Sequence, residues 1–240
     1  MLRTTPEQNT AIDVLAAEGK EALSTEALKD IEDLEAGADD PEAFKLLEQA
    51  WEDEGNKGMA AIYAYQAAQL SNTPQAWKNA GDKLSKAYTI ARDRNMSQGL
   101  VYYFITGAAE SYESAIALDP KDLESKAALA AVYTDGQGEV MRGVQLLRQI
   151  LEEDPDNVAA NLTLGRFSIM SGQYDKAVLR LETVLRNEPD NLETLIYIAD
   201  AYRSLGEDAK AEEALVKAAE VATDEELRNE INNRLEEIKK

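Results

Sequence analysis

Acidic-proline dipeptides recur at Asp119-Pro120, Asp154-Pro155 and Glu188-Pro189, spaced by 35 and then 34 residues (155 − 120 and 189 − 155). Proline lacks an amide hydrogen and restricts the residue before it, so each dipeptide marks the end of a helix. Between prolines the apolar residues fall three and four apart, the spacing of one helix face. Residues 157–171 place Val158, Leu162, Leu164, Gly165, Phe167 and Ile169 in that pattern, and Gly172 offers a left-handed end. A second helix from Asp175 carries Ala177, Val178, Leu181, Val184 and Leu185. A fixed period of this length is that of stacked helix pairs, none of which buries its apolar face alone.

The layout repeats on either side. Leu195, Ile198, Ala199 and Tyr202, a turn at Gly206, then Ala211, Leu215 and Ala218 follow downstream. Upstream stand Leu129, Ala130 and Tyr133, a turn through Asp135-Gly136-Gln137-Gly138, then Gly143, Leu147 and Ile150. Small residues recur at Ala130, Gly165 and Ala199, and at Gly143, Ala177 and Ala211, where paired helices must approach closely. These units resemble the tetratricopeptide repeat, over residues 123–222, with Ser168 in place of the usual Tyr and Thr223 in place of the last Pro. The resemblance implies an all-α fold: a right-handed α-solenoid of antiparallel helix pairs with a C-terminal capping helix.

On this reading residues 1–40 are a degenerate first helix pair or an N-terminal cap, with apolar stripes at Ile12, Val14 and Leu15 and at Leu28, Ile31 and Leu34. Residues 41–73 form a repeat through Phe44, Leu47, Trp51, Gly55, Ala60 and Ala67. Residues 74–122 form an extended repeat, since Pro74 and Pro120 are 46 residues apart; each helix is expected to be longer by about two turns. Repeats at 123–157, 158–191 and 192–223 precede a capping helix at 224–240, which opens at Asp224 and aligns Leu227, Ile231, Leu235 and Ile238. The run Leu100-Val101-Tyr102-Tyr103-Phe104-Ile105 is apolar on every side of a helix and must be covered. The expected cover is helix 75–92 with the adjacent repeats; the alternative is an outward patch at Tyr102, Tyr103 and Phe104 that joins a partner or a second copy, giving a homodimer.

The chain has no histidine and no cysteine, which removes the common nucleophile pairs, the neutral-pH proton shuttle and the preferred zinc and iron-sulfur ligands. Gly136-Gln137-Gly138 followed by Gly143 resembles a phosphate loop only superficially, because Val144 stands where its lysine belongs. The acidic run Asp30, Glu32, Asp33, Glu35, Asp39, Asp40 and Glu42 lacks the spacing of a calcium loop, and Asp40 before Pro41 reads as a helix cap. No cofactor, metal or catalytic residue is expected, and the chain reads as a non-enzyme; a carboxylate-based enzyme or a sugar-binding module is the distant alternative.

A net charge of −21 opposes nucleic acid and anionic lipid, and no apolar run is long enough to span a membrane. The charge is uneven: residues 1–73 carry 5 basic and 16 acidic groups, 74–120 carry 5 and 5, and 121–240 carry 15 and 25. Cysteine absence suits both cytoplasm and periplasm. Met1-Leu2-Arg3 followed by Thr4, Thr5 and Pro6 is no secretory signal, yet a trimmed signal or anchor leaves the same start, so a periplasmic or membrane-tethered protein stays open.

In the family the first helices of successive units line a concave groove that contacts ligands. The corresponding positions are Gln75, Lys78, Asn79 and Asp82; Ala127, Ala128 and Ala131; Leu162, Thr163 and Arg166; and Ile196, Tyr197, Asp200 and Arg203. This lining fits an extended or helical peptide with apolar anchors and a carboxylate met by Arg166 or Arg203. Structural ion pairs between neighbouring helices are the other use of those arginines. The family's carboxylate clamp does not carry over, because Gln49, Asp82, Glu124 and Ala128 stand near its positions.

Overall fold

The six prolines do two different jobs. Pro6, Pro41 and Pro74 each open a helix at its first turn, behind the capping side chains of Thr5, Asp40 and Thr73. Pro120, Pro155 and Pro189 instead lie in the short gaps between helices, and the cap comes two residues later at Asp122, Asn157 and Asn191. Asp122 accepts from the Ser125 amide at 3.1 Å, Asn157 from Ala160 at 3.0 Å and Asn191 from Thr194 at 2.9 Å. The proline period therefore marks where one pair stops and the next is capped.

The computed structural model describes residues 5–136 and 138–238. The expected start at Met1–Thr4, Gln137 of the glycine turn and Lys239–Lys240 lie outside them. Thirteen α-helices follow one another among the described residues: α1 Pro6–Glu21, α2 Thr25–Gly37, α3 Pro41–Asp53, α4 Lys57–Ser71, α5 Pro74–Asp93, α6 Gln98–Leu118, α7 Leu123–Ala131, α8 Val140–Glu153, α9 Val158–Met170, α10 Tyr174–Asn187, α11 Leu192–Ser204, α12 Asp208–Val221 and α13 Glu225–Ile238. A turn of π-helix, Val132–Gly136, follows α7. The chain divides into two compact units, residues 1–143 and 144–240.

In the first unit α3 packs on α4, α4 on α5 and α5 on α6. The helix α4 is flanked on both sides and buries Ala60, Ala61, Ala64, Ala67 and Ala68, because only small side chains let two neighbours come close. α5 and α6 run for 20 and 21 residues against 13 and 15 in α3 and α4. Gly81 sits where a side chain would stand 2.6 Å from the Tyr112 ring, so α5 and α6 touch there almost backbone to ring.

The N-terminal pair does not form an ordinary repeat. α2 packs against α3, whereas α1 crosses to α4 and α6. Ala11 and Leu15 are its buried apolar residues, and Val14, expected inside, is 49% exposed. α1 meets α6 at Gly99, where an added Cβ would lie 3.2 Å from Ala11 and from the carbonyl of Glu7. It meets α4 at Gly58, where the same test gives 2.9 Å to Leu15. The apolar run of α6 is thus covered by α1 as well as by α5. Glu35 of α2 fastens the pair by accepting from Lys20 at 2.6 Å and from Tyr63 of α4 at 2.7 Å.

The second unit repeats the hairpin arrangement in α9–α10 and α11–α12, with α13 packed on α12. Gly172, at φ 71°, and Gly206, at φ 76°, make the left-handed turns inside the two hairpins. Leu181, Ile198, Leu215 and Ile231 are fully buried, and Leu227 and Ile238 rest on the edge of that core. Asp224 caps α13 by accepting from the Leu227 amide at 2.8 Å.

Candidate functional site

The first helices α3, α5 and α7 present the polar positions singled out in the sequence, and most of them are already engaged. Asn79 of α5 donates to Glu48 of α3 at 3.0 Å. One turn further on, Lys83 bonds Glu52 at 3.0 Å and pairs with Glu48 at 3.3 Å. Lys78 pairs with Glu124 and, at 3.9 Å, with Asp122 at the start of α7. Asp82 accepts from Tyr112 of α6 at 2.8 Å, which leaves Gln75 exposed. On α7, Ala127 and Ala128 are half-buried and Ala131 is exposed. Polarity here joins one repeat to the next.

The Glu48/Glu52 and Asn79/Lys83 pairs escaped the sequence reading, although the signal was present. Each pair is four residues apart on one helix face, and both links span 31 residues (79 − 48 and 83 − 52). Glu52 is held below its ordinary value of 4.5, first by its bond to Lys57 and then by Lys83, against the opposing effect of burial. A depressed carboxylate contributes stability that is complete above its unfolded value and lost as pH falls through the folded one. Glu52→Gln is therefore expected to flatten the stability-versus-pH curve below about pH 4.5 and leave its slope near neutrality unchanged. Urea midpoints measured between pH 3 and pH 7 check this, and an unaltered acid slope would contradict it.

In the second unit the positions divide. Asp200 and Arg203 of α11 are turned to α13: Arg234 binds Asp200, and Arg203 lies 3.6 Å from Glu237. Burial raises the Asp200 carboxyl, opposed by Arg234 and Arg203. The sequence missed Arg234 and Glu237, because a capping helix was read for its apolar stripe alone. Leu162 of α9 and Ile196 and Tyr197 of α11 are only half-covered and rest against the buried core. Thr163 turns its hydroxyl back to the carbonyl of Ala159 at 2.8 Å, and the Arg166 guanidinium lies 5.7 Å from the Phe167 ring centre.

The aromatic run of α6 splits as well. Tyr102 is 61% exposed, whereas Tyr103 and Phe104 are buried in the first unit, so the alternative of a three-residue outward patch reduces to one ring. Tyr103 touches Phe104 edge to face with ring centres 5.7 Å apart, and burial raises its phenol to about 12. Among the described residues, no group of three carboxylates could hold a metal, and no helix is long and apolar enough to cross a membrane.

Residues 136–190 and 168–229 match the sequence profile of the tetratricopeptide repeat. Helix pairs of the expected length and spacing lie within the matched segment. Residues 136–229 are tetratricopeptide repeats. Tetratricopeptide repeat protein 21 homolog from Caenorhabditis briggsae is 26% identical over 165 residues, which are 62% of this chain and 12% of that protein. The chain thus spans a small part of that relative's length. Among solved structures, PilF of Pseudomonas aeruginosa superposes with a TM-score of 0.62 at 16% identity, covering 82% of this chain and 83% of its own. MamA gives 0.59 at 16% identity, over 75% of this chain and 91% of its own. YrrB, a tetratricopeptide-repeat protein described as having an unusual peptide-binding site, gives 0.56 at 17% identity, over 84% and 96%. At these identities the likeness is one of fold, and the tetratricopeptide fold is in general a protein-interaction scaffold.

Proposed function

We propose that this protein is a non-catalytic scaffold that holds a peptide segment of a partner protein on the first-helix face of α9 and α11, within its tetratricopeptide repeats. One observation carries the reading: Leu162, Ile196 and Tyr197 are apolar yet half-covered, on the same helices that the sequence pattern assigns to the ligand face. The corresponding face of α3, α5 and α7 spends its polar groups on joining repeats, and Asp200 and Arg203 are bound to α13. A peptide there would bury apolar anchors against Leu162 and Tyr197. The peptide site described for YrrB, which shares this fold, supports a ligand of that class.

Selection from a random peptide library on the immobilised full chain tests the reading. The recovered peptides should carry apolar anchors, and Leu162→Asp together with Tyr197→Ala should weaken them at least tenfold, about 1.4 kcal/mol or more. Unchanged affinity in that double variant, with helix content intact, would remove α9 and α11 as the ligand face.

A further inference from the structure

Glycines make the seat in which α1 lies. The second residue of α4 is Gly58 and that of α6 is Gly99; an added Cβ would stand 2.9 Å from Leu15 at the first and 3.2 Å from Ala11 at the second. The later second helices α8, α10 and α12 carry Met141, Asp175 and Ala209 at that place. Moreover α8 and α10 begin 15 residues before their closing proline and α6 begins 22 before its own (155 − 140, 189 − 174 and 120 − 98). Gly99 and Leu100 therefore stand on the added turns of α6, and the lengthened pair supplies half of the seat.

The fit is close at the glycines and loose around them. Cavities of 560 and 600 Å³ flank α1, and Leu15, Glu18 and Met96 border both. α1 buries Ala11 and Leu15, while Ile12 and Ala16 are partly covered and Val14 is exposed. Its covalent tie to α2 is the turn Ala22–Ser24. Ala22 already has right-handed helical geometry, φ −83° and ψ −10°, and no proline lies between Pro6 and Pro41. Ser24 keeps the turn: it is extended at φ −65° and ψ 158°, and its hydroxyl accepts from the Ala27 amide at 3.1 Å. With Leu23 and Ser24 turned helical, residues 6–37 would form one rod about 48 Å long, and α1 would be carried off its own seat.

We propose that Leu23–Ser24 is a hinge and that the seat on α4 and α6 takes α1 of a second copy of this chain, giving an exchanged dimer. A second copy is the occupant because α1 is the shape that the glycines admit, with Ala11 against Gly99 and Leu15 against Gly58. These contacts, and the Lys20–Glu35 ion pair, are remade between copies. The closed monomer and the exchanged dimer then differ in the turn and in their dependence on concentration, not in the contacts of the seat.

The full chain, unfolded in urea and refolded at micromolar to millimolar concentration, is sized by light scattering. A species of twice the 26.4 kDa chain mass is expected, increasing with refolding concentration. Thr25→Pro should remove it. Proline suits the first residue of α2, and Ser24 already has the extended geometry favoured before proline, but a rod running through residue 25 is broken there. Ser24→Ala removes the cap that holds the turn in each copy and should raise the association constant at least about fivefold. The chain has no cysteine, so a thiol pair reports on the seat itself. When Ala11→Cys and Gly99→Cys chains are refolded together, a disulfide should join the two kinds of chain, because an added Cβ on Gly99 lies 3.2 Å from that of Ala11, just under the usual spacing of about 3.5–4.5 Å. Asp13→Cys, on the exposed side of α1, should give no such link with Gly99→Cys. A monomer at every concentration in both wild type and Ser24→Ala overturns the proposal. So does a dimer that Thr25→Pro leaves undiminished, that lacks the seat disulfide, or that Asp13→Cys links equally well.

Discussion

Trp51→Ala is expected to lower the unfolding free energy of the first unit by about 3–5 kcal/mol, the usual range for removing a fully buried tryptophan. Trp51 is 0% exposed on α3, and the edge of its ring abuts α1 at Gly19, where an added Cβ would lie 3.1 Å from it. The ring also walls a 560 Å³ cavity shared with Leu15, Ile90, Met96 and Phe104, so its loss enlarges a space that is already imperfectly filled. The chain has two tryptophans, and Trp77 stays as a reporter, buried on α5 with its indole N–H donating to Asn72 at 2.9 Å. Its fluorescence during urea unfolding should show a midpoint displaced well below that of the wild type, with Trp51→Phe intermediate. A displacement below about 1 kcal/mol would mean that Trp51 does not hold the N-terminal pair against the repeats.

Leu181→Ala is expected to cost the second unit about 2–5 kcal/mol, and Gly165→Ala to recover part of that loss. Leu181 is fully buried on α10, directly beneath Gly165 of α9, where an added Cβ would stand 2.7 Å from its Cδ2 and 2.9 Å from its Cγ. Gly165→Ala alone therefore crowds the leucine, a strain that offsets the roughly 1 kcal/mol alanine gains over glycine within a helix. Once the leucine is shortened the crowding disappears, and the new methyl group occupies part of the vacated space. A double-mutant cycle read by urea unfolding should give a favourable coupling of about 1 kcal/mol or more. Strict additivity would show that α9 and α10 adjust freely there, and that the small residue is dispensable.

How much of this was readable beforehand differs from element to element. The helix pairs between 123 and 222 were legible because proline, cap and small-residue positions repeat with one period, and each of those signals is local. The lengthened α5 and α6 were legible from the 46 residues between Pro74 and Pro120. The cover over Tyr103 and Phe104 was legible in part: helix 75–92 was expected and α5 supplies it, whereas α1 was not foreseen. A stripe of apolar residues states that a helix must be buried and not against what, and the stripe read on α1 held the buried Leu15 but included the exposed Val14 and missed the buried Ala11. The face positions were identified by register alone, which does not distinguish a side chain awaiting a ligand from one bound to the next repeat. Lys78, Asn79, Asp200 and Arg203 belong to the second group, because each meets an opposite charge or a polar partner on a neighbouring helix.

The position of α1 reaches beyond stability. In a stack of hairpins almost every contact joins residues close in sequence, and such chains fold quickly because little loop entropy is lost before contacts form. The meeting of Ala11 with Gly99 spans 88 residues (99 − 11), more than two repeat periods. On a ribosome, α1 is made before α6, and its docking surface is complete only when α6 has followed it out, several seconds later at about 5–20 residues per second. During that interval its apolar stripe is open to other binders. α1 thus settles only after the four helices that follow it are made, and its docking makes the arrival of α6 a checkpoint in the birth of this unit.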